Sequence, residues 1–239
     1  MTNKRLKFII INSLLTLTLC HSSHSMNPLS RLSPRLNAIY ELVEKVQKDN
    51  AYPVIWDCCC DHGYLGIKIL ANKLCERMIF VDQLPHLIEQ LETKLAPYNT
   101  NSHVLIAADA GNLIFNANQH HLVILAGVGG DTSVDIIRAI ESNHPTVQID
   151  YILCPSSSKK TLRAYLAHNA FSLAEESLVY DNKRYYEIIF VKGKPGSKNH
   201  SKVSLNCNLW DKENPNHQRY LKKISTPRGS KKPKRKKAH

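Results

Sequence analysis

The segment Trp56-Asp57-Cys58-Cys59-Cys60-Asp61-His62-Gly63-Tyr64-Leu65-Gly66 joins two different apolar patterns. Residues 54–58 form a short, continuous apolar run, which is typical of a buried strand. From residue 65 to residue 74 the apolar side chains return at helical spacing. The segment is therefore predicted to be a strand-to-helix loop, and the chain on both sides of it repeats the same alternation.

The repeated alternation predicts an α/β protein. Further strands are expected at residues 78–81, 104–107, 122–126 and 151–154, and helices at residues 34–48, 86–95, 134–140 and 161–168. Strands that alternate with helices form a doubly wound, mostly parallel sheet. Residues 173–179 and 186–192 flank Asp181-Asn182-Lys183, and they predict a closing antiparallel hairpin that a plain dinucleotide-binding fold lacks.

Composition and charge divide the chain into three parts. Of the 239 residues 43% are hydrophobic and 22% are charged, which excludes collagen-like, coiled-coil and wholly disordered proteins. The net charge of +12 lies at the ends: residues 192–239 carry 15 Lys and Arg against 2 acids, whereas residues 26–191 have a net charge of −4. We expect an N-terminal extension (1–25), one folded domain (26–193) and a basic, largely disordered tail (194–239), in which residues 218–224 can form a short helix.

The ends of the predicted parallel strands carry the candidate site, because ligands bind beyond the carboxyl ends of such strands. Asp82 ends the second strand, where a carboxylate can accept hydrogen bonds from both ribose hydroxyls of an adenosine. Asp109 follows the third strand, within reach of an adenine amine, and Gly127, Gly129 and Gly130 follow the fourth. The first loop lacks the glycines that a pyrophosphate needs. The pattern therefore favours S-adenosylmethionine, with Asp57 and Asp61 facing its cationic end.

Four segments resemble the bacterial tRNA (adenine-22-N1)-methyltransferase family. They are Leu32-Ser33-Pro34-Arg35-Leu36, Asp61-His62-Gly63-Tyr64-Leu65, Ala126-Gly127-Val128-Gly129-Gly130 and Tyr186-Glu187-Ile188-Ile189, in that order within residues 29–192. The resemblance implies a class I S-adenosylmethionine-dependent methyltransferase fold and methylation of adenine N1 in tRNA. The family has glycine where Cys59 stands, and it ends in a helical coiled-coil domain where this chain has a basic, low-complexity segment.

The candidate residues fall into three groups. We assign catalysis to Asp61, His62 and Tyr64; cofactor binding to Asp57, Cys59, Asp82, Asp109, Ala110, Ala126 and Gly127; and substrate binding to Gly129, Gly130 and Arg163. Neutral adenine N1 carries a lone pair, so no base is needed to deprotonate it. The main task of the protein is then to unstack the adenine and to align N1 with the methyl group.

Other interpretations of the same residues remain open. The enzyme could act on another RNA base or on a small molecule, or the chain could bind RNA without catalysis. Cys58, Cys59 and Cys60 are expected to pack at the strand end and to point to alternate faces, so no metal site is predicted. Arg163 touches phosphate in one interpretation and lies on a solvated helix face in the other.

The N-terminal extension resembles a targeting segment. Lys4, Arg5 and Lys7 precede an apolar run at residues 8–19, as in a signal peptide. S-adenosylmethionine and tRNA are cytoplasmic, however, and adjacent free cysteines suit a reducing compartment. We therefore expect a cytoplasmic protein without a membrane anchor, whose functional start is near Met26. We expect tRNA as its partner; the sequence leaves its oligomeric state unknown.

Overall fold

The computed structural model describes residues 32–193, 201–205 and 213–225. The predictions for residues 1–25 and for the end of the tail, residues 226–239, lie outside this part of the chain. Six helices are described: α1 (Pro34–Asn50), α2 (Tyr64–Ala71), α3 (Pro85–Leu95), α4 (Gly130–Asn143), α5 (Lys159–His168) and α6 (Pro215–Ser225). The described strands are β1 (Val54–Cys58), β2 (Arg77–Asp82), β3 (His103–Ala107), β4 (His121–Ala126), β5 (Ile149–Cys154), β6 (Ser172–Asp181), β7 (Arg184–Lys192) and β8 (Ser201–Lys202).

The strands form one sheet in the order β3-β2-β1-β4-β5-β7-β6-β8. Strands β1 to β5 pair in parallel, β7 is antiparallel to both β5 and β6, and β8 is antiparallel to β6. This architecture confirms the predicted doubly wound, mostly parallel sheet with a closing antiparallel hairpin. The reversal of strand order between β1 and β4 leaves a crevice at their carboxyl ends, where such folds bind ligands.

Each face of the sheet carries its own buried core. On one face, Ile39 and Val43 of α1 and Leu91 of α3 pack with the side chains of the strands. On the other face, Ile137 of α4 and Leu162 of α5 do the same. Because helices cover both faces, the central parallel strands β1, β4 and β5 are almost completely buried, whereas the edge strand β3 is only partly buried.

The start of α1 and the hairpin turn follow the local sequence signals. The Leu36 backbone N–H donates to the Ser33 side-chain oxygen at 3.4 Å, and Pro34 occupies the first turn, as the sequence predicts. Asn182 and Lys183 both have positive φ values, 46° and 61°, which suits the two-residue turn between β6 and β7.

The region after Gly193 contains more structure than the polar sequence suggests. The two residues of β8 pair with Ser172 and Leu173 of β6, and Val203 is buried in the core. Residues 201–203 thus add a short strand and a buried side chain to the sheet and its core. Among the helices of the described residues, none has the length and apolar character that crossing a membrane would require.

Candidate functional site

A cavity of about 770 Å³ opens at the carboxyl ends of β1, β2, β3 and β4. This volume lies within the range of small-molecule sites. Ten of the thirteen predicted site residues line it: Asp57, Cys59, Asp61, His62, Tyr64, Asp82, Asp109, Ala110, Ala126 and Gly127. The structure thus brings together the residues that the sequence assigned to cofactor binding and catalysis, and their individual roles remain predictions.

The loop between β1 and α2 reaches the cavity through a tight left-handed turn. Cys59, Asp61 and Gly63 have φ values of 59°, 51° and 67°, and the Gly63 N–H donates to the Cys60 carbonyl at 2.8 Å. Cys59 occupies a backbone conformation that glycine adopts without a steric penalty. This fits the sequence-based interpretation that Cys59 stands in place of a glycine.

Asp57 lies at the floor of the cavity and is almost completely buried. Its Oδ2 accepts a hydrogen bond of 3.1 Å from the Gly66 backbone N–H, which connects β1 to α2. Burial raises the pKa of Asp57 to about 7; the Gly66 hydrogen bond opposes this shift, and the nearby Asp82 carboxylate adds to it. At neutral pH Asp57 can therefore take up or release a proton.

Asp82 holds the loops around the cavity as well as facing it. Its Oδ2 accepts a hydrogen bond of 3.1 Å from the Asp61 N–H, and its Oδ1 accepts one of 3.0 Å from the Leu84 N–H. The Asp82 carboxylate therefore also has a structural role, because it connects the loops after β1 and β2. Each oxygen retains a second lone pair with which to bind a ligand hydroxyl.

Asp109 and Ala110 form the wall contributed by the chain after β3. The Asp109 Oδ1 accepts a hydrogen bond of 2.8 Å from the Gly111 N–H and caps a single 3₁₀ turn at Ala110–Asn112. Ala110 is buried, whereas Asp109 is exposed to the cavity. Asp109 thus lines the part of the cavity where the sequence places an adenine.

The three consecutive cysteines do not alternate as expected. Cys58 and Cys59 both contact the core beneath α4 and α5, and Cys60 packs on the opposite core. The strand ends at Cys58 and the chain turns left-handed at Cys59, so the pleat does not continue. Burial raises the pKa of each thiol, that of Cys59 to about 11, which keeps them neutral. Within the described ranges, no group of three or more His, Cys, Asp or Glu residues is arranged to hold a metal ion.

His62 and Tyr64 lie at the rim of the cavity. Their ring centroids are 5.7 Å apart, and the His62 Nε2 lies 3.7 Å from an Asp61 carboxylate oxygen. Lys94 of α3 donates to the His62 carbonyl at 3.1 Å and lies 4.8 Å from the Tyr64 ring centroid. The three predicted catalytic residues are therefore neighbours, held together at the cavity entrance by one lysine.

The glycines after β4 serve two purposes. Gly127 lines the cavity with φ +99°. A Cβ at Gly130 would lie 2.2 Å from the Ser158 carbonyl oxygen, and one at Gly129 would lie 3.0 Å from the Ser157 hydroxyl. The absence of a side chain at Gly129 and Gly130 thus leaves room for the loop after β5. Neither glycine lines the cavity, and their role in substrate binding remains a prediction.

The prediction for Arg163 is wrong in both of its forms. The side chain is 1% exposed, so it lies neither at the cavity nor on a solvated face. Its guanidinium donates to Glu176 at 2.6 Å and to Glu187 at 2.7 Å, and also to the Ser204 carbonyl at 2.9 Å. A helical arginine is usually solvated, but here the hairpin supplies two buried carboxylates that neutralise it.

Arg35 lines the cavity, and the sequence analysis assigned it no role. Its Nη1 is buried and has no hydrogen-bond partner among the described residues. This nitrogen lies 3.4 Å from the position that a Cβ at Gly127 would occupy, so it is a direct neighbour of this cavity-lining glycine. The sequence signals were its place in the segment Leu32-Ser33-Pro34-Arg35-Leu36 and its position in the first turn of a predicted helix.

Comparison with known proteins places this site in a family. A model of the methyltransferase domain matches residues 32–189, which is about two thirds of the chain. The chain belongs to the methyltransferase domain family. The match begins just before α1 and ends within β7, so this methyltransferase domain includes every element that lines the cavity.

Individual relatives are similar over the same region. A Mycoplasma pneumoniae protein named "Putative tRNA methyltransferase" is 27% identical over 158 residues, covering 66% of this chain and 70% of its own. The structure of M. capricolum TrmK with S-adenosyl-homocysteine has a TM-score of 0.62 and 21% identity, covering 81% of this chain and 83% of that one. The B. subtilis M1A22 tRNA methyltransferase TrmK has a TM-score of 0.58 and 18% identity, covering 69% and 67%. These two structures share the fold of this methyltransferase domain.

Proposed function

We propose that this methyltransferase domain transfers a methyl group from S-adenosylmethionine to N1 of an adenine in tRNA, at position 22, in the cytoplasm. The observation that carries the proposal is the single cavity wall shared by Asp57, Asp82, Asp109 and Gly127 at the ends of four successive parallel strands. The named relatives support tRNA as the substrate, since tRNA methyltransferases appear among both the sequence relatives and the structural neighbours.

The residues around the cavity fit a cofactor of this shape and charge. Asp82 would accept hydrogen bonds from the ribose hydroxyls, and the chain at Asp109 and Ala110 would contact the adenine. Asp57 belongs to β1, which lies between β2 with Asp82 and β4 with Gly127, so we assign Asp57 to the amino-acid portion of the cofactor. When bound, the cofactor supplies an electrophilic methyl group on a sulfonium centre.

Arg35 complements the acidic residues at the end of the cavity that we assign to the amino-acid portion of the cofactor. Its buried Nη1 has no partner in the described part of the chain and lies beside Gly127. A buried guanidinium nitrogen is stabilised by an anion that accepts its hydrogen bond. We assign it to the cofactor carboxylate, while Asp57 faces the cationic groups.

The chain's own part in the reaction is to position the adenine and to receive the charge that develops on it. Adenine N1 has a lone pair, so the protein need not remove a proton before methyl transfer. The methylated adenine is cationic, and the rim carboxylate of Asp61 can accept a hydrogen bond from its amine. His62 and Tyr64 stand beside Asp61, where their rings can hold the unstacked base.

The test is methyl transfer from labelled S-adenosylmethionine to bulk tRNA, followed by nucleoside analysis. We expect 1-methyladenosine with the wild-type chain. We expect strongly reduced transfer with Asp82→Asn, which loses charged hydrogen bonds worth about 1.5–3 kcal/mol. Asp82→Asn retains one of the two acceptors that hold the loops, whereas alanine removes both, so asparagine is preferred. Transfer only to other acceptors would support a different methyltransferase, and cofactor binding without transfer to any acceptor would support a non-catalytic RNA-binding protein.

A further inference from the structure

A basic helix lies outside the region that the methyltransferase family model matches. Helix α6 contains Arg219, Lys222 and Lys223, whose side chains are exposed. Its eleven residues include no acidic side chain. By contrast, residues 26–191 have a net charge of −4, so the folded body as a whole does not attract a polyanion. The helix is therefore a local positive surface on a mildly acidic body.

Helix α6 is fixed to the sheet by a buried tyrosine. Tyr220 is 5% exposed, and its hydroxyl donates a hydrogen bond of 2.5 Å to Glu187 of β7. Lys159, at the start of α5, donates to the Tyr220 hydroxyl at 3.1 Å and to the Tyr185 carbonyl at 2.6 Å. These bonds hold the basic side chains of α6 in a defined position on the body.

An aromatic ladder extends from α6 to the surface of the hairpin. The Tyr220 ring centroid lies 5.3 Å from that of Tyr185, which lies 4.9 Å from that of Tyr180. Exposure increases along the ladder, from 5% at Tyr220 to 51% at Tyr180. Tyr180 and Tyr185 are paired across β6 and β7 beside the turn, where Lys183 and Arg184 are also exposed. The ladder thus ends in an exposed tyrosine ring beside two further cationic side chains.

This surface lies at the carboxyl ends of the parallel strands, as the cavity does. Because β7 is antiparallel to β5, its first residues lie at the carboxyl end of β5. Tyr186, the neighbour of Tyr185, has its ring centroid 5.1 Å from the guanidinium carbon of Arg35, which lines the cavity. A nucleic acid that delivers a base to the cavity would therefore pass near the hairpin and α6.

We propose that α6 and the β6–β7 turn form a tRNA-binding surface, in which cationic side chains contact phosphates and the Tyr180 ring stacks on a base. We call this the α6 surface, and its cations are Arg219, Lys222 and Lys223 of α6 with Lys183 and Arg184 of the turn. The proposal rests on the proposed function, because it takes tRNA as the substrate. Cations at fixed positions beside an exposed aromatic ring are the chemistry that binds unpaired nucleotides.

The charge part is tested with the double variant Arg219→Gln/Lys223→Gln in the full chain. The matched control is Arg77→Gln/Lys48→Gln, which also removes two positive charges. Its two positions are exposed and lie at the amino-terminal end of the parallel strands, away from the cavity. We expect the first variant to bind bulk tRNA at least about tenfold more weakly at 0.1 M salt, and its log–log salt slope to be flatter by roughly 1.5, at 0.7–0.9 per phosphate. The control should stay within about twofold of wild type. Equal affinity and slope in the first variant, or an equal loss in the control, would overturn the proposal.

The stacking part is tested with Tyr180→Ala and Tyr180→Phe. Alanine should weaken tRNA binding about 5- to 100-fold, whereas phenylalanine keeps the ring and should stay within about twofold of wild type. Calorimetry should give wild-type affinity for S-adenosylmethionine in all four variants. If alanine and phenylalanine bind equally well, Tyr180 is not a stacking residue. If the wild-type chain methylates tRNA and the variants bind tRNA with the wild-type affinity, only the α6 surface is refuted. If the wild-type chain neither binds nor methylates tRNA, the proposed function is refuted as well.

Discussion

The guanidinium carbon of Arg35 lies 5.1 Å from the centroid of the Tyr186 ring, across 151 positions of sequence. The same hairpin also holds the backbone of Arg35, whose N–H donates to the Asp181 carboxylate at 3.4 Å. The closing hairpin of the sheet therefore positions a cation from the N-terminal helix at the wall of the cavity. This relationship links the part of the fold that is not shared with dinucleotide-binding proteins to the proposed ligand site.

Arg35→Met should weaken binding of S-adenosylmethionine by about 2 kcal/mol, or roughly 30-fold, because a charged hydrogen bond to the carboxylate is lost. Methionine keeps the length and apolar character that pack on Tyr186, so the fold should persist. Calorimetric titration measures the effect, with Arg77→Met at the far edge of the sheet as control. Equal affinity in Arg35→Met and the wild type would remove Arg35 from the site.

Asp57 should make cofactor binding pH-dependent. Burial raises its pKa to about 7, and a cationic ligand favours the ionised carboxylate. Binding then becomes weaker as the pH falls below 7, by up to about tenfold per pH unit, and levels off above pH 8. Dissociation constants measured from pH 5.5 to 8.5 test this, and Asp57→Asn should give a flat profile. A wild-type profile as flat as that of Asp57→Asn would contradict the assignment.

The α/β alternation, the order of its elements and the closing hairpin were predictable because each depends on local apolar periodicity and turn residues. Strand β8 was not, since Ser201 and Lys202 carry no apolar pattern, although the next residue, Val203, is buried. Arg163 was misjudged because its partners, Glu176 and Glu187, come from the two strands of the hairpin and meet it only in the folded chain.

Most cavity-lining residues were predictable, because the carboxyl ends of parallel strands meet at one edge of the sheet. Gly130 and Arg35 show where this reasoning stops. A glycine permits close approach of any group, and the sequence does not say that at Gly130 the group is the chain's own Ser158 carbonyl. Arg35 is separated by most of the domain from Gly127 and Tyr186, so only the folded structure reveals the contact.

Arg163→Met should destabilise the protein by about 3–5 kcal/mol, because it leaves the Glu176 and Glu187 carboxylates buried without their cation. The triple variant Arg163→Met/Glu176→Gln/Glu187→Gln removes all three charges and should recover much of this loss. Urea-induced unfolding, followed by circular dichroism, measures both. A loss below about 1 kcal/mol in the single variant would show that the ion pairs do not govern the stability of the hairpin.

Deleting residues 226–239 should weaken tRNA capture without changing the base that is methylated. This segment carries six Lys or Arg in residues 231–237, and it follows directly on α6. Each phosphate contact that is lost flattens the salt dependence by roughly 0.7, so we expect a change of several units. Phosphate contacts position the protein and pocket contacts specify the target, so the modified nucleoside should stay the same. Identical affinity and slope in the full and shortened chains would leave the segment without a role in capture.

The most direct test of the account is nucleoside mass spectrometry of tRNA from cells that lack this chain. Total tRNA is compared among the parent, the deletion strain, and deletion strains that express either the wild-type chain or Asp82→Asn. We expect the 1-methyladenosine content to fall on deletion and to return with the wild-type chain. With Asp82→Asn it should remain low. An unchanged 1-methyladenosine content in the deletion strain would contradict the proposed function.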